Sequence, residues 1–311
     1  MRFDLVQHVL VTGASGYIGQ HLIESLLKDD VAVQGFSRGP RPVGLSAIGW
    51  QRGDVCRLAD VQQAVQDCDA VVHLACLPLG QSLQDPLSDF HVNALGTFNV
   101  LYAARAAAVR QVVYTSTAQV YGYPERLPVE EEDATQTASP YAASKLCGEV
   151  LCTTFARCYG LGTMVLRLFN VYGAPVDGSE RATVEAIFMR RVAQGLPPVI
   201  KGDPEEGRDF IHVSDAVRAI RLALDIRGTG KVINVGTGVM TTLLELARLV
   251  IAISGAEVSP VVEKTDGRPM RIQADVHRAR QVLGFQAEIS LFEGLSQMFK
   301  QMRSHQEVVV S

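Results

Sequence analysis

The chain has 311 residues, 29 basic and 33 acidic side chains for a formal net charge of −4, and 47% hydrophobic content. That balance sets up no global field for nucleic acid or an anionic membrane, and no apolar run approaches the roughly 18 residues that span a bilayer. Asp4, Gln7 and His8 interrupt the first ten residues, which argues against a signal peptide. Six cysteines without a CxxC pair argue against a disulfide framework or a zinc site and for a reducing cytoplasm.

His8 to Val11 reads as a buried strand, followed by helical spacing from Ile18 to Leu27. Further strands are expected at Val31 to Phe36, Ala70 to Leu74, Gln111 to Tyr114 and Thr163 to Leu168, with helices at Leu58 to Gln66, Asp89 to Ala108 and Tyr141 to Tyr159. Strands apolar throughout belong in a sheet covered on both faces. The expected fold class is therefore α/β, a doubly wound parallel sheet whose ligands lie beyond the carboxyl ends of its strands. After Asn170-Val171-Tyr172-Gly173 the chain is punctuated by proline and glycine. Helices are expected at Thr183 to Ala193, Val213 to Leu224 and Leu243 to Ser254, with a short strand at Val232 to Val235. The domain expectation is a dinucleotide-binding unit over 1–172 and a smaller α+β substrate lobe over 173–311, some segments of which return to the first domain. The tail from His305 to Ser311 is expected to fray.

Thr12-Gly13-Ala14-Ser15-Gly16-Tyr17-Ile18-Gly19 follows the first strand and opens the first helix. Gly13 permits the tight turn, Gly16 lets a pyrophosphate approach the backbone, and Gly19 packs helix on strand. Free N–H groups at a helix start suit the pyrophosphate. At the end of the second strand a carboxylate would accept the ribose 2′-OH of NAD. Ser37 stands there instead, followed by Arg38, with Arg41 nearby, which favours the 2′-phosphate of NADP. Asp54 and Val55 are placed against the adenine edge.

Ser139-Pro140 caps and opens a helix that carries Tyr141 and Lys145 at i and i+4, on one face. A neighbouring ammonium and a cationic nicotinamide favour phenolate, so the pair can take a proton from a substrate hydroxyl while hydride leaves the same carbon. Thr117, at the end of the Gln111 strand, is the candidate to bond the reacting oxygen. Ser116 is the fallback, since pleating directs one of the two inward. Asn93 either fixes its own helix or contacts the cofactor ribose.

These segments resemble the extended short-chain dehydrogenase/reductase family, in its nucleotide-sugar epimerase/dehydratase branch, over nearly the whole chain. The likeness extends to His73-Leu74-Ala75, Asn93 to Thr97, Leu166 to Gly173 and Arg208 to Asp215. It implies a Rossmann-type domain, a Thr117–Tyr141–Lys145 catalytic set, and NAD(P) bound along Gly13, Ser15, Gly16, Tyr17, Ile18, Gly19, Ser37, Arg38, Asp54, Val55, Leu74, Ala75 and Asn93. It also implies that Asn170 and Arg208 hold the diphosphate of a nucleotide sugar, with Ser116 and Thr117 beside the sugar. A second phosphate-binding arginine falls to Arg268 or Arg271, in a stretch shorter than the family's. His212 is expected to be a packed structural histidine.

A dehydratase of this branch carries an Asp-Glu pair after the threonine. Here Ala118 and Gln119 stand there, and neither titrates. The reading favoured is a nucleotide-sugar 4-epimerase, with an NADPH-dependent keto-sugar reductase as the alternative. Family epimerases usually hold NAD, whereas Ser37 and Arg38 suit NADP. Small and apolar residues on more than one face of the helices at Asp89 to Ala108 and Tyr141 to Tyr159 suggest a homodimer through a four-helix contact. No metal site, nucleic-acid partner or membrane association is expected.

Overall fold

A computed structural model describes residues 6–176, 182–263, 265 and 269–310, with only the backbone for 305–310. The main sheet comprises β1 (His8–Thr12), β2 (Ala32–Ser37), β3 (Gly49–Arg52), β4 (Ala70–His73), β5 (Gln111–Thr117), β6 (Gly162–Leu168) and, arriving later in the chain, Lys231–Val235. All seven are parallel, in the order Lys231–Val235, β6, β5, β4, β1, β2, β3. The order reverses between β1 and β4, so a crevice opens above their carboxyl ends. Every residue of β4, β5 and β6 is buried, as strands covered on both faces must be.

Helices α1 (Tyr17–Leu27) and α2 (Leu58–Ala64) cover opposite faces. Short helices α3 (Leu79–Ser82) and α4 (Pro86–Asp89) lead through a π-turn at Phe90–Leu95 into α5 (Gly96–Ala106). The single helix expected from Asp89 to Ala108 is therefore segmented and starts earlier, at Pro86, where the Asp85 side chain accepts the N–H of Ser88. Helix α6 (Pro140–Tyr159) is capped by Ser139 and ends at Gly160, whose φ of 67° is left-handed.

The second half forms β7 (Asn170–Tyr172), α7 (Val184–Ala193), β8 (Val199–Lys201), β9 (Gly207–His212), α8 (Val213–Asp225), β10 (Lys231–Val235), β11 (Met240–Thr242), α9 (Leu243–Ser254), β12 (Val261–Glu263) and α10 (Leu291–Val310). Two of these elements belong with the first half. β10 is the strand that pairs with β6, and α8 packs Val217, Ile220 and Leu224 into the core of the main sheet. The remainder builds a three-stranded sheet in the order β11-β9-β7 and a two-stranded β12-β8 sheet around a separate core of Phe188, Leu246, Val250 and Leu295. The helix α10 runs to Val310, through most of the tail expected to fray. Among the described residues no helix is long and apolar enough to cross a membrane.

Candidate active site

One cleft of about 960 Å³ runs over the carboxyl edge of the main sheet, from the glycine loop to β9. At one end, Gly13 has a φ of 69°, and a Cβ there would lie 2.7 Å from the Ala75 nitrogen, so the loop and the β4 end pack backbone to backbone. Thr12 fastens that junction. Its hydroxyl accepts the Ala75 N–H at 3.2 Å and bonds His73 Nδ1 at 2.7 Å. No side chain caps α1, whose first turn carries no acidic residue, and Gly16, Tyr17, Ile18 and Gly19 all line the cleft. An uncapped helix start facing a cleft fits the pyrophosphate of a dinucleotide.

Ser37 and Arg38 line the same end, with Gly53, Asp54 and Val55. The hydroxyls of Ser15 and Ser37 lie 2.6 Å apart, and Arg52 Nε donates to the Arg38 carbonyl at 2.7 Å. Asp54 turns its carboxylate to the Cys56 N–H at 3.0 Å. Leu74 and Ala75 form the wall opposite. Asn93 stands apart from the cleft. Its Oδ1 accepts the Leu77 N–H at 2.7 Å, and its Nδ2 donates to the Asp89 carboxylate at 2.6 Å, the Leu77 carbonyl at 3.1 Å and the Ser144 hydroxyl at 3.1 Å. With its amide engaged in this way, Asn93 ties α4 and α6 together.

Thr117, Tyr141 and Lys145 meet at the middle of the cleft. Thr117 Oγ1 accepts the Gln119 N–H at 3.2 Å and is hydrogen-bonded to the Tyr141 phenol. Lys145 places its ammonium 4.3 Å above the Tyr114 ring, a cation–π contact. Ser116 diverges from Thr117. It contributes to the cleft wall, but its hydroxyl donates to Glu149 on α6. The Ser116 hydroxyl, held in reserve for the substrate, is engaged by Glu149 in this structure.

The electrostatics differ from the expectation that Lys145 lowers the Tyr141 pKa. Burial pushes the phenol well above its ordinary range. The adjacent Cys76 adds to this, and the hydrogen bond with Thr117 opposes it. Burial also pushes the Lys145 ammonium down, against Cys76, Cys152, Glu149 and Asp89, which favour its charge. In the protein alone desolvation dominates at the Tyr141 phenol.

At the far end, Asn170 and Arg208 line the cleft beside the start of α7. Arg208 pairs with Glu206, through Nε at 3.1 Å and a close Nη2 contact. Its neighbour Asp209 points the other way, accepting N–H groups of Thr237, Gly238 and Ala274 at 2.8, 2.9 and 3.2 Å. Arg268 lies outside the described residues. Arg271 donates to the Glu205 carbonyl at 3.0 Å, between Met270 and Ile272, which line the cleft. His212 caps α8, accepting the Ser214 N–H at 3.3 Å, and stacks edge-on to Tyr172. Reasoning from sequence missed His73 and the Glu149–Arg167 pair. Glu149 continues the spacing of four from Tyr141 and Lys145, and that stripe was the available signal.

The chain matches the model of the "NAD dependent epimerase/dehydratase family" over residues 9–236. It is 34% identical over 316 residues to a UDP-glucose 4-epimerase of Mycolicibacterium smegmatis, covering 95% of this chain and 98% of the relative. Among solved structures it resembles UDP-glucose 4-epimerase of Thermotoga maritima with UDP-glucose, at a TM-score of 0.90, 30% identity, and 96% and 99% coverage of the two chains. It likewise resembles MoeE5 in complex with UDP-glucose and NAD, at a TM-score of 0.87, 33% identity and the same coverages. The protein belongs to the NAD-dependent epimerase/dehydratase family, within the extended short-chain dehydrogenase/reductases.

Proposed function

We propose that the protein is a nucleotide-sugar 4-epimerase. The observation that carries this reading is the meeting of Thr117, Tyr141 and Lys145 midway between an uncapped helix start and the Asn170–Arg208 end of a single cleft. When bound, an oxidised nicotinamide supplies the acceptor for hydride from sugar C4. Gly13, Ser15, Gly16 and the first turn of α1 hold its pyrophosphate. Tyr141 takes the proton of the 4-hydroxyl and gives it back when hydride returns to the other face, so nothing is consumed overall. Thr117 has a lone pair engaged by the Gln119 N–H, and its one proton turns either to the Tyr141 phenolate or to the reacting oxygen bound beside it. Asn170 and Arg208 hold the diphosphate, Arg208 exchanging Glu206 for phosphate oxygens. Ala118 and Gln119 offer no acid or base for eliminating water, which disfavours a 4,6-dehydratase.

The cofactor is NAD(P). The MoeE5 complex contains NAD, whereas Ser37 and Arg38 in this chain suit a 2′-phosphate. That pair favours the second reading, an NADPH-dependent keto-sugar reductase. Incubation with UDP-glucose and UDP-galactose, with and without NADPH, separates the two. An epimerase interconverts the sugars with no net loss of cofactor. A reductase oxidises NADPH when given a 4-keto sugar and interconverts nothing. Absence of affinity for any UDP-, GDP-, CDP- or dTDP-sugar overturns both.

The assembly we propose is a homodimer through α5 and α6. Phe98 stacks on Tyr102 and meets Phe155, which meets Tyr159, and Arg105 lies 4.2 Å over the Tyr159 ring. Phe98, Tyr102, Val150 and Tyr159 are all exposed, a continuous apolar strip suited to a two-fold contact. A monomeric mass by light scattering overturns it. Six free cysteines accord with a reducing compartment.

A further inference from the structure

Glu149 is a buried charge that this mechanism leaves unused. It follows Lys145 by four residues, as Lys145 follows Tyr141, so all three occupy one stripe of α6. The Glu149 and Arg167 side chains are 4% and 5% exposed. Arg167, from β6, reaches the carboxylate with Nη2 at 2.7 Å and Nε at 3.0 Å, and Ser116, from β5, donates to it as well. The other end of Arg167 donates to the Tyr121 hydroxyl at 2.8 Å, and Tyr121 donates to Asn234 Oδ1 on β10 at 2.7 Å. One chain of bonds thus fixes α6 against three strands of the sheet.

Such a pair is a poor device for stability alone, because removing two charges from water offsets their attraction. Its position gives it another use. Lys145 is 2% exposed, and a cation so buried is disfavoured unless negative charge stands near it. The groups that act on it are Cys152 and Glu149 on α6, Tyr114 on β5, His73 on β4, Cys76 in the following loop and Asp89 on α4, with Tyr141 one turn earlier on the same helix. Only Glu149 and Asp89 among them are carboxylates. The Asp89 side chain already accepts from Asn93 at 2.6 Å.

We propose that Glu149 is a positioning residue of the catalytic helix, its carboxylate clamped by Arg167 and Ser116 so that the buried Lys145 keeps its ammonium charge beside Tyr141. This rests on the Tyr141–Lys145 reading above, yet it is tested without turnover. The chain has six lysines, so selective carbon-13 labelling at lysine Cε gives few NMR signals, with that of Lys145 identified by its loss in Lys145→Arg. In Glu149→Gln, which keeps the shape and still accepts from Ser116, the Lys145 titration midpoint is expected to fall by a pH unit or more. The kcat for epimerisation falls with it, while KM for the nucleotide sugar changes little. If Glu149→Gln leaves Arg167 too exposed to an unpaired charge to fold, Glu149→Gln/Arg167→Gln removes both charges, and a smaller fall in the Lys145 midpoint is expected there because the Arg167 charge opposes that of Glu149. An unchanged Lys145 midpoint in a folded variant overturns the proposal, whatever happens to kcat. Retention of full turnover in Tyr141→Phe overturns the mechanism instead and leaves the titration result standing.

Discussion

Asn93 Nδ2 donates to the hydroxyl of Ser144 at 3.1 Å, and so joins the π-turn after α4 to the helix that carries Tyr141 and Lys145. The same amide satisfies both backbone groups of Leu77. Replacing it with alanine leaves the Leu77 N–H, the Leu77 carbonyl and the Asp89 carboxylate short of a partner. Each buried group left unpaired costs about 1–3 kcal/mol. Asn93→Ala is therefore expected to lower the melting temperature substantially while cofactor affinity, measured by calorimetric titration of the folded variant, stays close to that of the parent. A large loss of affinity with an unchanged melt would return Asn93 to the cofactor site.

His73 governs how the fold responds to acid. Its ring bridges the hydroxyls of Thr12 and Thr97, at 2.7 and 3.1 Å, under the glycine loop. Burial, with the Lys145 charge adding to it, pushes the pKa from 6.5 down to about 3. The unfolded chain gains a proton below its ordinary value and the native ring does not. Stability from this group is thus present above pH 6.5 and lost as the pH falls toward 3, at up to about 1.4 kcal/mol per pH unit. His212, also pushed down by burial, acts in the same direction. The melting temperature is expected to fall between pH 7 and pH 5, and His73→Gln, less stable at pH 8, is expected to lose less over that interval. Equal slopes for the two proteins would contradict this.

The sheet was legible because β1, β4, β5 and β6 each carry an unbroken apolar run, and such runs have few other places to go. The glycine loop and the Tyr141–Lys145 pair were legible because each lies within one local element. What was hidden depends on partners far along the chain. β7, β9 and β11 are three to six residues long and exist through one another. β10 looks like a strand of the second lobe until its pairing with β6 places it at the edge of the main sheet. Nothing in the spacing of Ser116 and Thr117 says that one serves Glu149 and the other Tyr141. Arg271 and Arg268 were equal candidates from sequence, since nothing in their spacing shows that Arg271 meets Glu205.

On the proposed mechanism, the balance of burial against the Thr117 hydrogen bond at Tyr141 sets the pH dependence of catalysis. With phenolate as the proposed base, the rate is expected to rise with pH through the pKa of Tyr141 in the loaded enzyme. Thr117 pulls that value down and burial pushes it up. Thr117→Val is therefore expected to move the rising limb of the kcat profile to higher pH, as well as lowering kcat. Tyr141→Phe removes the base, and a loss of about 10²- to 10⁴-fold is expected with binding of the nucleotide sugar retained. A Thr117→Val profile superimposable on the parent would limit that residue to holding the turn through Gln119.

On the proposed reading, Ser37 and Arg38 decide which dinucleotide is preferred. A carboxylate at the end of β2 would accept the ribose 2′-OH and repel a 2′-phosphate; a hydroxyl beside a guanidinium accepts more weakly and repels no phosphate. The Ser15–Ser37 contact at 2.6 Å holds the hydroxyl at the rim of the cleft, and Arg52 fixes the backbone of Arg38 next to it. Ser37→Asp is expected to weaken NADP binding at least tenfold and to leave NAD binding equal or stronger, read by titration calorimetry on protein freed of cofactor. Arg38→Ala is expected to weaken NADP alone, since the phosphate loses a charge-assisted bond worth about 1.5–3 kcal/mol. If the parent binds NAD more tightly and neither substitution alters the ratio, Arg38 is a solvated loop charge. The epimerase reading would stand in that case, and the reductase alternative would lose its support.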